Sequence, residues 1–267
     1  MLASVEGLDE TVKLPARTDA YFERLQAAID ADPRAASLYP DLAGLMRTVH
    51  ARLDAEPLMV TVKTADGAEA DLAIGKVDLQ LVVSGMITDP ASAVFVPALY
   101  AAIASGNAEE AAEIGRHVYD NVRRRLAGAA GNGMAMAMDA ASGVSAERLR
   151  LVEEQARTAL LGDMLNFPMP HLADAWGVPD LGDAYREPFT SDVPALFLSG
   201  TLDGRTYPES AAEIAARFSD ATHVTIENAG HNLLMVAPEV TETIVAFVRG
   251  EKPARRSIAI PPPRFLR

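Results

Sequence analysis

Val193-Pro194-Ala195-Leu196-Phe197-Leu198-Ser199 runs almost without a polar interruption into Gly200-Thr201-Leu202-Asp203-Gly204. A short continuous apolar run ending in turn residues is the pattern of a strand covered on both faces, as in a parallel sheet. A helical segment follows from about Pro208 to Phe218, then a second short strand, His223-Val224-Thr225-Ile226. A loop carrying Gly230-His231 leads to a last helix from about Pro238 to Arg249. Strand, helix, strand, helix in this order is a βαβα unit of a parallel sheet.

Upstream, Met1 to Gly7 reads as the end of a buried strand entering a turn. From Thr18, a plausible N-cap, Phe22, Leu25 and Ile29 fall at helical spacing. A second helix begins near Pro40-Asp41 and places Leu42, Leu45, Met46, Val49 and Leu53 on one stripe. Met59 to Val62 and Ala70 to Ile74 flank Asp66-Gly67, the signature of a hairpin. Helices are then expected over 78–86, 90–105, 107–127 and 146–165, with Asn107 and Glu110 as a capping pair and Ser145 as an N-cap. The organisation predicted is a core strand and turn over 1–16, a mainly helical insertion over 17–190 with a hairpin at 58–75, the βαβα part over 191–250, and a loose tail over 251–267 with Arg255-Arg256 and Pro261-Pro262-Pro263.

Composition narrows the function. The chain of 267 residues is 49% hydrophobic and 23% charged, a globular balance. Its net charge of −13 disfavours nucleic acid and anionic membrane as partners. With no cysteine, thiolate metal sites, disulfides and a Cys nucleophile are excluded. The histidines, His50, His117, His171, His223 and His231, show no His-Glu-x-x-His spacing, so no metal site is implied. The longest apolar runs, such as Leu79 to Ile87, fall far short of a membrane span. Met1 is followed by no basic n-region, and a cytoplasmic protein is expected.

The chemistry-bearing constellation is Ser199-Gly200-Thr201-Leu202-Asp203-Gly204-Arg205-Thr206 with Asn228-Ala229-Gly230-His231. Each stretch follows the carboxyl end of a predicted strand, the sheet edge where open α/β folds bind ligands. A carboxylate on one imidazole nitrogen fixes the tautomer and leaves the other as a general base. Asp before Gly is also an ordinary turn pair, and pattern alone leaves both readings open. Gly128-x-x-Gly131-x-Gly133 has no preceding strand and is not read as a dinucleotide loop, and Met134, Met136 and Met138, which could line a pocket, are read as lid or core packing.

Val193 to Gly250 resembles the C-terminal region of α/β-hydrolases, closest to the tripeptidyl aminopeptidase-like and prolyl iminopeptidase-like subgroup. Pro194 to Asp203 is similar to its strand and acid turn, and Glu227-Asn228-Ala229-Gly230-His231 to its histidine loop. Ala3 to Pro15 resembles the passage from a core strand into the lid. The resemblance implies a partial α/β-hydrolase fold with a few parallel strands and a large, mainly helical lid insertion. It assigns catalytic acid to Asp203 and catalytic histidine to His231, and it implies a peptide, amide or small-ester substrate.

The family's chain order is nucleophile, acid, histidine, with the serine in Gly-x-Ser-x-Gly. No such motif occurs in the 267 residues. Gly143-Val144-Ser145 lacks the second glycine, Ser84-Gly85 sits at a helix end, and Ser199 lies on the acid's own strand. The nucleophile elbow is therefore expected before residue 1, on an N-terminal half that would act as a partner, and the chain alone is expected to be inactive. Glu6 and Glu10, in the turn after the first strand, are candidates to bind a substrate's α-amino group. The competing expectation is a non-catalytic helical interaction protein derived from a hydrolase.

Overall fold

The computed structural model describes residues 1–7, 12–64, 67–106 and 133–265, together with isolated positions between 113 and 124. A four-stranded parallel sheet is built from β1 (Leu2–Ala3), β4 (Ala195–Gly200), β5 (Ala221–Glu227) and β6 (Ser257–Ala259), in the order β1-β4-β5-β6. Between β1 and β4 runs the insertion: α1 (Pro15–Asp30), α2 (Pro33–Leu38), α3 (Leu42–Ala55), the hairpin β2 (Leu58–Lys63) and β3 (Glu69–Ile74), α4 (Lys76–Met86), α5 (Pro90–Ala93), α6 (Val96–Ser105), α7 (Gly133–Ser142), α8 (Ala146–Ala156) and α9 (Asp183–Arg186). Two helices, α10 (Pro208–Ala215) and α11 (Pro238–Val248), belong to the sheet layer.

All six residues of β4 are buried, as its unbroken apolar run requires. Alternation then divides its side chains between two cores. Leu196 and Leu198 join Val224, Ile226, Ile258 and Val240 of α11, while Ala195 and Phe197 pack with Ile214 and Ala215 of α10. The fold is α/β, that of a partial α/β-hydrolase, with one helix on each face of the sheet.

The insertion has its own core, in which Tyr21, Leu25, Met46, Leu79 and Tyr100 are essentially inaccessible. That core also takes in Leu202, Tyr207 and Phe265, so apolar packing continues into the acid loop and the tail. Polar contacts fasten the same junction. Arg24 donates from Nε to the Thr201 carbonyl at 2.8 Å and from Nη1 to Glu209 at 2.7 Å, and Arg17 pairs with Glu213 and donates to Ser210.

Several boundaries differ from the sequence reading. The first helix begins at Pro15, whose fixed φ suits the first turn, and Thr18 instead shares a 2.7 Å hydrogen bond with the Tyr207 hydroxyl. The helix expected over 90–105 divides into α5 and α6, because Pro97 cannot continue a helical hydrogen-bond ladder through that point. The helix expected over 146–165 stops at Ala156. Beyond it, Asp19 accepts the Leu160 N–H at 2.9 Å and Gln80 donates to the Leu160 carbonyl at 2.9 Å, so side chains replace the helical ladder. Ser145 caps α8 as expected, accepting from the Arg148 N–H. The segment 107–127, with Asn107, Glu110 and His117, lies outside the described residues apart from isolated positions.

The tail is not loose throughout. Ser257–Ala259 adds a parallel strand to β5, with Ile258 and later Phe265 buried. An alternating strand of three residues between Arg256 and the prolines is too short for a periodicity reading to separate from coil. No helix among the described residues is long and apolar enough to cross a membrane.

Candidate active site

Because the strands are parallel, the ends of β1, β4 and β5 open at one edge of the sheet. Ser4, the loop from Gly200 to Thr206 and the loop from Asn228 to His231 meet there. The two larger loops are joined by the Leu202 N–H to Ala229 carbonyl bond at 2.9 Å, and Thr201 N–H donates to the Ile226 carbonyl of β5 at 3.1 Å. A side chain at Gly200 would put its Cβ 2.3 Å from the Ala229 oxygen, so this approach needs glycine. Asn228 turns the second loop through a left-handed φ of 67°, with its N–H held by Thr201 Oγ1 at 2.8 Å.

His231 Nδ1 and Asp203 Oδ2 lie 3.0 Å apart, within hydrogen-bonding distance. Asp203 is completely buried, and its oxygens also accept from the Arg205 N–H at 2.8 Å, the Thr206 N–H at 2.9 Å and the Thr206 hydroxyl at 2.6 Å. Burial alone would raise this carboxyl's pKa. The bonds from His231, Thr206 and Arg205 outweigh it and hold the carboxyl below its ordinary value. An ionised, immobile acceptor therefore stands at Nδ1, leaving Nε2 as the nitrogen for proton transfer.

His231 and Thr206 open onto a cavity of about 760 Å³ beneath the helical insertion. Met136, Phe167 and Met169 supply apolar wall, and Glu6, Lys13, Asp139 and Arg205 supply charge. A neighbouring cleft of about 620 Å³ also touches the histidine loop but is walled by Pro90, Val94 and the tail residues Ile260 and Pro261. His231 lines both cavities; the first also takes in Thr206, Glu6, Lys13, Asp139 and Arg205, the second Asp89 and Arg264.

Glu6 lines this cavity, but its carboxylate is paired with Lys13 Nζ at 2.8 Å. Glu10 lies outside the described residues. Of the other serines, Ser84 is almost wholly buried on α4 and donates to the Leu81 carbonyl. Ser199 is equally buried and shares a 2.9 Å hydrogen bond with His223 Nε2, within the sheet. His50 is also a core residue, bonded to the Tyr100 hydroxyl at 2.7 Å.

Four residues at or near this edge were given no individual role from the sequence. Ser4 donates from Oγ to the His231 carbonyl at 2.7 Å and adopts a left-handed φ of 53°. Thr206, three positions after the acid, was visible as an Asx-type partner. Arg205 and Asp139 carry no pattern that marks a cavity.

A parallel sheet with an acid and a histidine on adjacent strand-end loops is consistent with a partial α/β-hydrolase fold. More particularly, residues 169–257 match the family model described as TAP-like protein, a span that contains both Asp203 and His231. The match supports an α/β-hydrolase relationship, and with it hydrolase activity in general. No curated protein matches the chain.

Proposed function

We propose that this chain carries the acid and the histidine of a serine hydrolase that cleaves peptide or amide bonds by acyl transfer to water. The observation that carries the reading is the buried Asp203 carboxylate 3.0 Å from Nδ1 of a cavity-lining His231. In this reaction His231 Nε2 takes the proton of a serine hydroxyl as its oxygen attacks the substrate carbonyl. The same proton then goes to the leaving amine, and water repeats the sequence to free the acid. Asp203 orients the ring and stabilises the imidazolium. Asp139, which lines the same cavity, gives the substrate's amino end an acidic surrounding, since Glu6 is already paired with Lys13.

The serine comes from a separate elbow-bearing segment, because no Gly-x-Ser-x-Gly stands in this sequence. The 267-residue chain should therefore neither react with a fluorophosphonate probe nor turn over aminoacyl-naphthylamides. Mixing it with an elbow-bearing hydrolase segment should restore turnover, and His231→Ala in the mixture should remove it. Labelling of the chain alone that Ser84→Ala or Ser145→Ala abolishes would place the nucleophile here instead. Loss of nothing on His231→Ala in an active mixture would refute the assignment.

A further inference from the structure

The four charged side chains of the cavity are not equivalent. Lys13 is only 11% exposed and its ammonium is taken by Glu6. Asn166 locks that arm in place, accepting from the Lys13 N–H at 2.6 Å and donating to its carbonyl at 3.0 Å. Glu6 and Lys13 thus cancel each other. Asp139 on α7 and Arg205 in the acid loop remain. Their charges act on each other without meeting in an ion pair, and neither side chain has a hydrogen-bond partner among the described residues.

One negative and one positive group, unpaired, thus face the cavity that His231 also lines. We propose that Asp139 and Arg205 select a zwitterionic dipeptide, Asp139 receiving its α-ammonium and Arg205 its α-carboxylate. The inference rests on the peptide-bond reading above and narrows it. In a dipeptide the two termini flank the only amide bond, so holding both ends in this cavity puts that bond near His231. A guanidinium offers a carboxylate two parallel donors, which a lone ammonium does not. Met136 and Met169 make room for apolar side chains of varied shape.

The surroundings of Asp139 support the assignment. Burial lifts its carboxyl above the ordinary value and Glu6 adds to the rise, while Lys13 and Arg205 only partly offset them. A carboxylate so placed gains from an ammonium brought by a ligand. Of the two acidic side chains described here, it is this one, and not Lys13-bound Glu6, that has capacity to spare.

The test is calorimetric binding of leucyl-leucine, N-acetyl-leucyl-leucine and leucyl-leucinamide to the full chain carrying His231→Ala, so that no turnover intervenes. The free dipeptide should bind best, and blocking either end should weaken it roughly 10- to 100-fold. Arg205→Gln should erase the preference for acid over amide while keeping that for free over acetylated amine. Arg205→Lys should restore part of it, and Asp139→Asn should do the converse. A melting curve for each variant separates lost recognition from lost folding. Equal binding of all three ligands, no binding of any, or an Arg205→Gln variant with unchanged acid preference overturns the proposal. If dipeptide selection holds while the mixture with an elbow segment stays inert, the catalytic reading fails and the recognition site stands.

Discussion

Ser4 and His231, separated by 227 positions in the chain, are joined by a 2.7 Å hydrogen bond from the serine hydroxyl to the histidine's main-chain carbonyl. Ser4 N–H in turn donates to the Leu198 carbonyl of β4 at 3.0 Å. The first strand therefore anchors the loop of the candidate base. Its serine holds a left-handed φ of 53°, which glycine adopts without cost. Ser4→Ala should lower stability by about 1 kcal/mol through the lost bond. Ser4→Gly should lose less, since relief of backbone strain offsets part of it. Urea denaturation of the pair checks this, and a more stable Ala than Gly variant would contradict it.

Asp203 tolerates no amide. All its partners are donors or the His231 ring, so the NH2 of Asp203→Asn must face an N–H or a hydroxyl. Stability should fall on the order of 2–3 kcal/mol. In the active mixture, turnover should fall about 10⁴-fold as the imidazole tautomer is lost. Thr206→Val removes one donor only and should cost less in both measurements.

His50 makes the fold acid-sensitive. Burial among α3 and α6 residues lowers its pKa from 6.5 to about 4, and Lys76 pushes the same way. The unfolded chain therefore binds a proton that the folded chain refuses. The neutral ring is free of penalty above pH ~6.5, and stability is lost as pH falls from there toward 4, by roughly 3 kcal/mol in all. His50→Gln, which keeps an acceptor for Tyr100, should remove this slope. Denaturation midpoints at pH 7 and pH 4.5 for both proteins isolate it from the carboxylates, and parallel losses would refute it.

Gly204 is one of the points at which the acid loop docks on the insertion. Gly204 N–H donates to the Ile87 carbonyl at 3.1 Å, and a Cβ there would lie 2.4 Å from that oxygen. Gly204→Ala should push the end of α4 away and cost roughly 2 kcal/mol or more. A thermal melt reads the loss. Hydrogen exchange of the Gly200–Thr206 amides should rise more than that of α3, whereas uniform loosening would argue against a local junction.

Apolar side chains stand exposed beside the outer strand, with Leu2 41%, Leu234 51% and Met235 94% accessible. β1 pairs only with β4 among the described residues, leaving a strand edge open. Open edges and apolar patches of this kind promote association. The purified chain should bind a hydrophobic dye and self-associate, and an elbow-bearing segment should suppress both. A dye-silent monomer would count against this.

Much of this protein was written in local pattern. The unbroken run Ala195 to Ser199 could satisfy its apolar side chains only as a strand covered on both faces, and the heptad-like stripe from Leu42 to Leu53 only as a helix with one buried face. Asp203 and His231, each after the carboxyl end of a predicted parallel strand, were expected at one sheet edge, because parallel strands point the same way. Tertiary structure decided what depends on groups distant in sequence. Thr18 became a core partner of Tyr207 rather than a cap, Asp19 and Gln80 ended α8 by taking the Leu160 backbone, and Ile258 found a sheet edge. Glu6 was neutralised by Lys13, and Asp139 and Arg205 were left facing the cavity. Periodicity records which face of an element avoids water; it carries no record of which charge another element will bring to meet it.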